Sequence, residues 1–251
     1  MRTTFLVIVL LLMRNDAWSF VVYDDSKIWN QDSITFYFLD GTSQQKNEVK
    51  RFSQLWQRYT GIKFNFTNKK PSFFNFKKFY KISFKGKNNE STNGAINGLI
   101  QFGNLSDNII FRKTTILHEF GHMLGLAHEH QRQDRPNYLD NKQLVTACMK
   151  NQQQSRAWCN ENLFKKFYKK VFIQSEYDPN SIMHYDISNI TSKDSETNSN
   201  IPESLNNSLS FTDKFYIAML YNPKLDKKTL KKMHKQDIRE QQQFEAKANA
   251  E

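Results

Sequence analysis

Residues 118–130 read HEFGHMLGLAHEH, so four histidines and two glutamates fall within thirteen positions. His118 and His122 are four residues apart, and on a helix their imidazole rings would lie one turn apart on the same face. Two ring nitrogens at that separation suit a tetrahedral Zn²⁺ with Zn–N distances of about 2.0–2.1 Å. Glu119 would lean over the same site without being a ligand. Its predicted role is that of general base toward a zinc-bound water.

A glycine three residues beyond His122 makes a third ligand possible. Gly125 can adopt a positive φ without a Cβ clash, so the helix can end there and the chain can turn back. His128 then comes within reach of the metal. Three protein ligands leave one coordination position open for water, which is typical of a catalytic zinc site rather than a structural one. At about 1/20 for each fixed position, this spacing would arise by chance in roughly one chain of this length in ten thousand.

The pattern HExxHxxGxxH resembles the signature of the metzincin peptidases, and Glu129 after the third histidine resembles the astacin family within them. The following QRQDR at 131–135 is similar to the HExxRxDR run of astacins. YDPNSIMHY at 177–185 is similar to the astacin Met-turn. Weaker matches lie at Trp29, at TGIKF (60–64) and at LSFTD (209–213). The resemblance therefore covers about residues 29–222.

The resemblance implies a role for each residue of the site. The three histidines at 118, 122 and 128 would hold one Zn²⁺, and Glu119 would be the catalytic base and proton shuttle. Met183 would lie beneath the histidines as an apolar floor. Tyr185 would be a movable fifth ligand whose phenol could hydrogen-bond the oxyanion of the tetrahedral intermediate. From spacing alone, Met183 would be an ordinary core residue and Tyr185 a surface aromatic.

The same resemblance assigns no metal to the remaining acidic and histidine side chains. Glu129 would contact the region where the mature N-terminus is buried in astacins. His130 would be a common variant at a position that does not bind zinc. His184, inside the Met-turn, would point away from the metal.

The chain departs from the astacin pattern at its cysteines and at its N-terminus. The cysteines of the two disulfides usual in animal astacins are missing. Cys148 and Cys159 could close one small loop in an oxidising compartment, the alternative being two unrelated buried thiols. Family zymogens often block zinc with a propeptide aspartate. Residues 20–28 offer Asp24 or Asp25 for that purpose, and a constitutively active enzyme is the alternative.

Apolar periodicity around the motif predicts a sheet and several helices. Alternation of apolar and polar residues predicts strands at 34–39, 62–66 and 80–85. Helical spacing predicts one helix that ends at Gly61, one around 163–171 and a closing helix at 210–221. GAINGLIQFG at 94–103 is predicted to be an edge strand along which extended substrate pairs. The resemblance implies an α+β, two-lobed metzincin-type domain: a mixed, twisted five-stranded sheet with two long helices, then an irregular C-terminal lobe.

The chain divides into four predicted parts: a signal peptide (1–19), a short N-terminal or propeptide segment (20–28), an astacin-like zinc peptidase domain (29–222), and a basic charged tail (223–251), disordered or helical. FLVIVLLLM at 5–13 follows Arg2 and precedes a cleavage pattern of small residues, as in secretory signal peptides. It is too short to span a bilayer, and no later stretch is apolar enough to do so. We expect a secreted or extracellular protein, periplasmic in a bacterium, and a monomer.

The net charge of +11 is unevenly distributed. Residues 61–90 carry eight lysines against one glutamate, interleaved with aromatic residues. Such a pattern is typical of single-stranded nucleic-acid binding, but half-buried strands with a solvated lysine face also produce it. A secreted protein meets little nucleic acid, so none is expected as a partner. The alternatives to a zinc endopeptidase acting on proteins or peptides are a non-catalytic zinc-stabilised binding module and a binder of anionic surfaces or nucleic acid through residues 63–87 and the tail.

Overall fold

The computed structural model describes residues 21–22, 25–71, 77–135, 142–151, 155–166, 173–174, 176–185 and 206–250. The predicted signal peptide lies outside these ranges. Of the helix predicted around 163–171, residues 167–171 also lie outside them, and the part before is a π-helical turn at Asn160–Phe164. None of the described helices is long and apolar enough to cross a membrane.

The described chain contains seven strands and six α-helices. The strands are β1 (Val21–Val22), β2 (Ser33–Phe38), β3 (Lys63–Thr67), β4 (Phe79–Ser83), β5 (Asn89–Ser91), β6 (Gly98–Phe102) and β7 (Ile173–Gln174). The helices are α1 (Ser43–Thr60), α2 (Ile109–Met123), α3 (Lys142–Asn151), α4 (Arg156–Cys159), α5 (Phe211–Tyr221) and α6 (Lys227–Ala248). Strands β1 and β7 pair with each other, and the other five form one sheet.

The five-stranded mixed sheet confirms the predicted fold class. Its order is β3-β2-β4-β6-β5, with β5 antiparallel to β6 and the other pairs parallel. In β2, Ile34, Phe36 and Phe38 are buried and alternate with less buried residues. This alternation places one face of the strand in the core, as the sequence pattern predicted.

The prediction that residues 94–103 form an edge strand is wrong. The predicted edge segment contains β6, which lies between β4 and β5, so the edge is β5, with Asn89 opposite Phe102. Three polar residues, NES, make up this strand. A run so short has no apolar alternation, and its strand conformation comes from pairing with β6 rather than from its own sequence. Any segment that extends the sheet on this side must therefore do so along β5.

Helices α1 and α2 lie against each other and contribute to the main core. A capping box between Thr42 and Gln45 begins α1, and Gly61, with φ 66°, ends it as predicted. The indole Nε1 of Trp56 donates to the Leu117 carbonyl at 2.8 Å. That bond joins the two helices through completely buried groups. It fixes the position of α2, which carries the histidines.

A second, smaller core lies in the C-terminal part of the chain. It consists of Cys148, Cys159 and Leu163, with Phe164 and Tyr185 among the partly buried residues packed on it. The two cysteines form a disulfide. The closing helix α5 begins at the capping box of Ser210 and Asp213, close to its predicted start.

The basic tail is helical, so its disordered alternative is wrong. Helix α6 packs on the domain with Leu230 and Asp237 buried. The ring of Phe244 lies 5.8 Å from that of Phe52 on α1. Asp237 forms ion pairs with Lys214 at 2.9 Å and with Arg58 at 2.8 Å. The sequence left both alternatives open because these partners lie far away in the sequence.

The aromatic residues between the lysines of 61–90 belong mainly to the core. Phe64 and Tyr80 are buried, and Phe66 packs against the same core. They therefore cannot stack on bases, which contradicts the nucleic-acid alternative for this part of the region. Phe73, Phe74 and Phe76 lie outside the described residues.

Candidate active site

Helix α2 carries His118, Glu119 and His122 in its last two turns. The helix stops at Met123, and Gly125 has a φ of 97°. This is a left-handed conformation that favours glycine, as the sequence predicted. The chain turns back there and brings His128 to the two helical histidines.

The three histidine rings converge through one nitrogen each. The Nδ1 of His118 donates to the Ile182 carbonyl, and that of His122 donates to the Leu126 carbonyl, both at 2.8 Å. The Nδ1 of His128 lies 3.1 Å from the Gln131 side-chain oxygen. With Nδ1 protonated and bonded in this way, each Nε2 keeps a free lone pair.

Those lone pairs face one another. The Nε2 atoms of His122 and His128 are 3.0 Å apart, and the buried Nε2 of His118 has no hydrogen-bond partner. Two lone pairs at this distance repel unless a cation lies between them. The ligating atoms of the three residues all lie within 4.8 Å of one another. The donor set therefore fits the one Zn²⁺ on which proteins with this signature depend.

Burial keeps the three imidazoles in the neutral form that binds metal. It lowers the pKa of His118 to about 3, with a further contribution from His122. Burial also lowers the pKa of His122, and that of His128 still more. Within the described residues, the metal-binding group contains no carboxylate. Asp25 therefore does not cap this site, and Asp24 lies outside the described residues.

Glu119 is buried beside the histidines, and one of its carboxyl oxygens makes no hydrogen bond. Its Oε2 has no hydrogen-bond partner. Burial, followed by the charge of Glu90, raises the pKa of Glu119 to about 8. A divalent cation bound at the histidines would lower this pKa again, because an opposite charge favours the carboxylate. One carboxyl oxygen of this side chain is thus left without a partner beside the histidines.

Tyr185 lies over the same histidines. Its ring centroid is 4.6 Å from that of His128 and 5.6 Å from that of His118. Burial raises the pKa of Tyr185 to about 12, with a smaller contribution from the charge of Glu119. The phenol is therefore protonated at neutral pH and can donate a hydrogen bond.

His130 is not idle, although it is not in the metal-binding group. It is completely buried and stacks on Tyr185, with ring centroids 4.5 Å apart and planes inclined by 17°. Its Nε2 donates to the Asn162 carbonyl at 2.9 Å, while its Nδ1 accepts from the Tyr185 amide at 3.3 Å. No local pattern indicates these contacts, because Asn162 and Tyr185 are 32 and 55 residues away.

Met183 packs directly under the metal-binding helix. A Cβ built at Gly121 would lie within 3.0 Å of the Met183 Sδ atom, so this glycine of HEFGH is needed for close packing. Asp213 holds the same turn, accepting from the Ser181 hydroxyl at 2.7 Å and from the Ile182 amide at 2.9 Å. Sequence reasoning missed the roles of Gly121 and Asp213.

Glu129 and His184 form hydrogen bonds around the turn at 177–185. Glu129 accepts from the Asp178 amide at 2.8 Å and lies 3.4 Å from Arg132. Its expected contact with the mature N-terminus stays a prediction. His184 accepts from the Tyr177 hydroxyl at 2.7 Å and donates to the Tyr185 carbonyl. It is not in the metal-binding group.

A cleft of about 580 Å³ opens onto the histidines. One wall is β5 with the two residues before it, and the other is formed mainly by the C-terminal part of the chain. The lining residues are Lys87, Asn88, Asn89, Glu90, Ser91, Asn104, Thr114, Thr115, His118, Glu119, His122, His128, Trp158, Asn162, Ile182, His184, Tyr185 and Asn206.

Comparison with known proteins agrees with this geometry. The family model of the astacin peptidases matches residues 21–222. Blastula protease 10 of Paracentrotus lividus is 27% identical over 172 residues, which are 64% of this chain and 26% of that protein. The chain thus spans about a quarter of the length of that relative.

Two solved structures have the same fold. The structure of myroilysin has a TM-score of 0.64 and 29% identity, covering 80% of this chain and 98% of that one. High choriolytic enzyme 1, a hatching enzyme zinc-protease of Oryzias latipes, has a TM-score of 0.56 over 81% of this chain and 98% of its own. At 18% identity, this second likeness shows the fold alone. The match of the family model over most of the chain shows that this protein belongs to the astacin family of zinc metallopeptidases.

Proposed function

We propose that the protein is a secreted endopeptidase that hydrolyses peptide bonds in proteins, with Glu119 as its general base. One observation carries the proposal: the buried Glu119 has an oxygen without a hydrogen-bond partner beside three convergent histidine nitrogens. A purely structural zinc site has no use for such a group, because desolvating an unbonded carboxylate is costly. The arrangement suits a reaction in which that oxygen accepts a proton.

His118, His122 and His128 would hold the zinc ion. When bound, Zn²⁺ lowers the pKa of water and polarises the scissile carbonyl. Glu119 would accept the proton of the attacking water and then pass it to the leaving amine. Tyr185 would donate its phenolic proton in a hydrogen bond to the oxyanion, where negative charge develops. The stacking of His130 on Tyr185 supports that role by restricting the phenol ring.

The substrate would lie in the cleft as an extended chain. Among the described residues, β5 is an edge strand that pairs on one side only, with β6. Its free edge can form backbone hydrogen bonds with a peptide, which fixes the peptide's direction without requiring a particular sequence. The predicted signal peptide supports action outside the cell. We propose that the enzyme acts as a monomer.

The decisive experiment replaces Glu119 by Ala in the full chain. Zinc content should remain one per chain, because all three histidines are unchanged, and casein hydrolysis should fall at least about 100-fold. Glu161→Gln is the matched control, since Glu161 is an exposed carboxylate that pairs with Lys165, one turn away. It should cleave like the natural protein. Unimpaired proteolysis by Glu119→Ala would refute the mechanism.

The alternative of a non-catalytic zinc module makes a different prediction. Under it, neither the natural protein nor the control would cleave casein or gelatin. Under our proposal, both cleave, a zinc chelator stops cleavage, and added Zn²⁺ restores it. Profiling the cleaved bonds in a peptide library would then identify the preferred side chains.

A further inference from the structure

Helix α6 lies beyond the residues matched by the family model, and one side of it is strongly basic. Five exposed cations form what we call the outer stripe: Lys228, Lys231, Lys232, Lys235 and Arg239. At 3.6 residues per turn, they fall within an arc of about 100° and extend about 16 Å along the axis. Leu230 and Asp237, which are buried, lie on the opposite side.

The charge of the outer stripe is not neutralised. Residues 224–239 contain seven cations and only two carboxylates. Asp226 is occupied at the start of the helix, where it accepts from the Lys228 and Thr229 amides. Asp237 is buried in its ion pairs with Lys214 and Arg58. Among the residues that the structure describes, none forms an ion pair with the outer stripe.

The outer stripe is also held in a fixed position. Leu230 belongs to the main core, and Phe244 packs on Phe52. The apolar face of α6 is therefore packed against the domain and is unavailable to a membrane. A ligand that binds the outer stripe does not have to order the helix first, so binding loses little to conformational entropy.

The composition of this surface indicates the kind of partner. It has no aromatic side chain on which single-stranded bases could stack. Among the described residues, its one exposed large apolar neighbour is Ile238, which is too little for insertion into a bilayer. What remains is a row of cations that suits a linear chain of fixed anions. Because the predicted signal peptide directs the protein outside the cell, where acidic polysaccharides occur, that chain would be a polysaccharide.

We propose that the outer stripe binds a sulfated or carboxylated polysaccharide and so holds the enzyme at an anionic matrix. None of the described residues lining the cleft comes from α6. The cleft therefore stays open to protein substrates while the enzyme is bound. This proposal concerns where the enzyme acts, and it does not depend on the peptidase mechanism.

The test uses the full chain, with heparin as the probe. The stripe variant Lys231→Gln/Lys235→Gln/Arg239→Gln should weaken the Kd about tenfold or more at 0.15 M salt and reduce the slope of log K against log salt by about 2–3. The matched control Lys63→Gln/Lys81→Gln/Lys85→Gln removes the same charge from exposed lysines on or beside the sheet. It should bind heparin almost like the natural protein.

Two results would overturn the proposal. Equal weakening by both variants would mean that heparin responds only to net charge. The second result is that the natural protein binds duplex DNA or phosphatidylserine vesicles more tightly than heparin and that the stripe variant loses this binding. It would identify a different class of partner. Zinc content and cleavage of a short peptide should be unchanged in both variants, so a loss there would indicate misfolding rather than a failed contact. A soluble sulfated chain should compete with immobilised heparin.

Discussion

Replacing Gly121 by Ala should disturb the zinc site, although the same change inside an ordinary helix is stabilising. Gly121 lies in α2 between Glu119 and His122, and it is buried. The new Cβ would lie within 3.0 Å of the Met183 Sδ atom and 3.4 Å from the Trp56 ring. Either Met183 or the helix must move, and both belong to the site.

Two opposing effects set the magnitude. The helix propensity of Ala exceeds that of Gly by about 0.8–1.0 kcal/mol, which favours the variant. Overpacking a filled core costs about 1–3 kcal/mol, which disfavours it. We expect a net loss of about 0–2 kcal/mol in the free energy of unfolding. This loss is small enough for the variant to fold and be measured.

The larger effect should be on metal binding. The carbonyl of Ile182, the residue before Met183, accepts the hydrogen bond from His118 Nδ1. The Met183 carbonyl accepts from the Glu129 amide. A shift of the turn at 181–185 would therefore misorient His118 and His128 together. Loss of such supporting contacts typically lowers metal affinity or activity about 10- to 100-fold. Zinc affinity, measured by competition with a chelator, and kcat/KM should therefore both fall, while helix content stays the same.

A substitution of Met183 tests whether its close contact with Gly121 is what requires glycine there. Met183→Val removes the Sδ atom and should itself cost about 1–3 kcal/mol through the cavity it leaves. In the double variant the added methyl fills part of that space. Its destabilisation should therefore be smaller than the sum of the two single effects by about 1 kcal/mol. If Gly121→Ala raised the Tm and left zinc affinity unchanged, or if the two effects were additive, the close packing would not be what requires glycine.

Two further predictions concern buried polar contacts. His130→Ala should lower kcat/KM about two- to tenfold, because an aromatic pair contributes about 0.5–1.5 kcal/mol and Tyr185 loses its stacking partner. His130→Phe should recover most of this activity, and both variants should contain the same amount of zinc. An equal loss of kcat/KM in the two variants would refute the stacking role. Asp237→Asn should lower the free energy of unfolding by about 3–5 kcal/mol in urea, since it leaves Lys214, 1% exposed, without its buried charge partner. Lys214→Met/Asp237→Leu should be more stable than Asp237→Asn, and a less stable double variant would contradict this account.

The sequence predicted those features that depend on local patterns. Four-residue spacing placed His118 and His122 on one face of a helix, and Gly125 predicted the turn that follows. Alternation identified β2, and Gly61 identified the end of α1. Each of these conclusions needs only neighbouring residues, because a periodicity or a positive φ is a property of a short segment.

The features that sequence reasoning missed depend on distant partners. β5 is a strand because β6 lies beside it, and nothing in Asn-Glu-Ser predicts that pairing. The contacts of His130 were missed because its partner, Tyr185, is 55 residues away. The disordered alternative for the tail stayed open because the charge of Asp237 is balanced by Lys214 and Arg58, on two other helices. A charged residue in a polar segment gives no sign of burial until its partner is known.

The zinc motif alone is therefore not sufficient for the site. The residues of HEFGHMLGLAHEH would supply the ligands and the base, but the Nδ1 of His118 is held by the Ile182 carbonyl of the turn at 181–185. Asp213 holds that turn from one side, and Asn206 holds it from another, donating to the Pro179 and Ser181 carbonyls at 2.7 and 2.9 Å. The adjacent Asn207 donates to Glu245 of α6 at 2.6 Å. Because Asn206 and Asn207 are consecutive, the C-terminal helix, although outside the family match, contacts the residue next to the one that holds the turn, and the Ile182 carbonyl of that turn accepts from the first histidine.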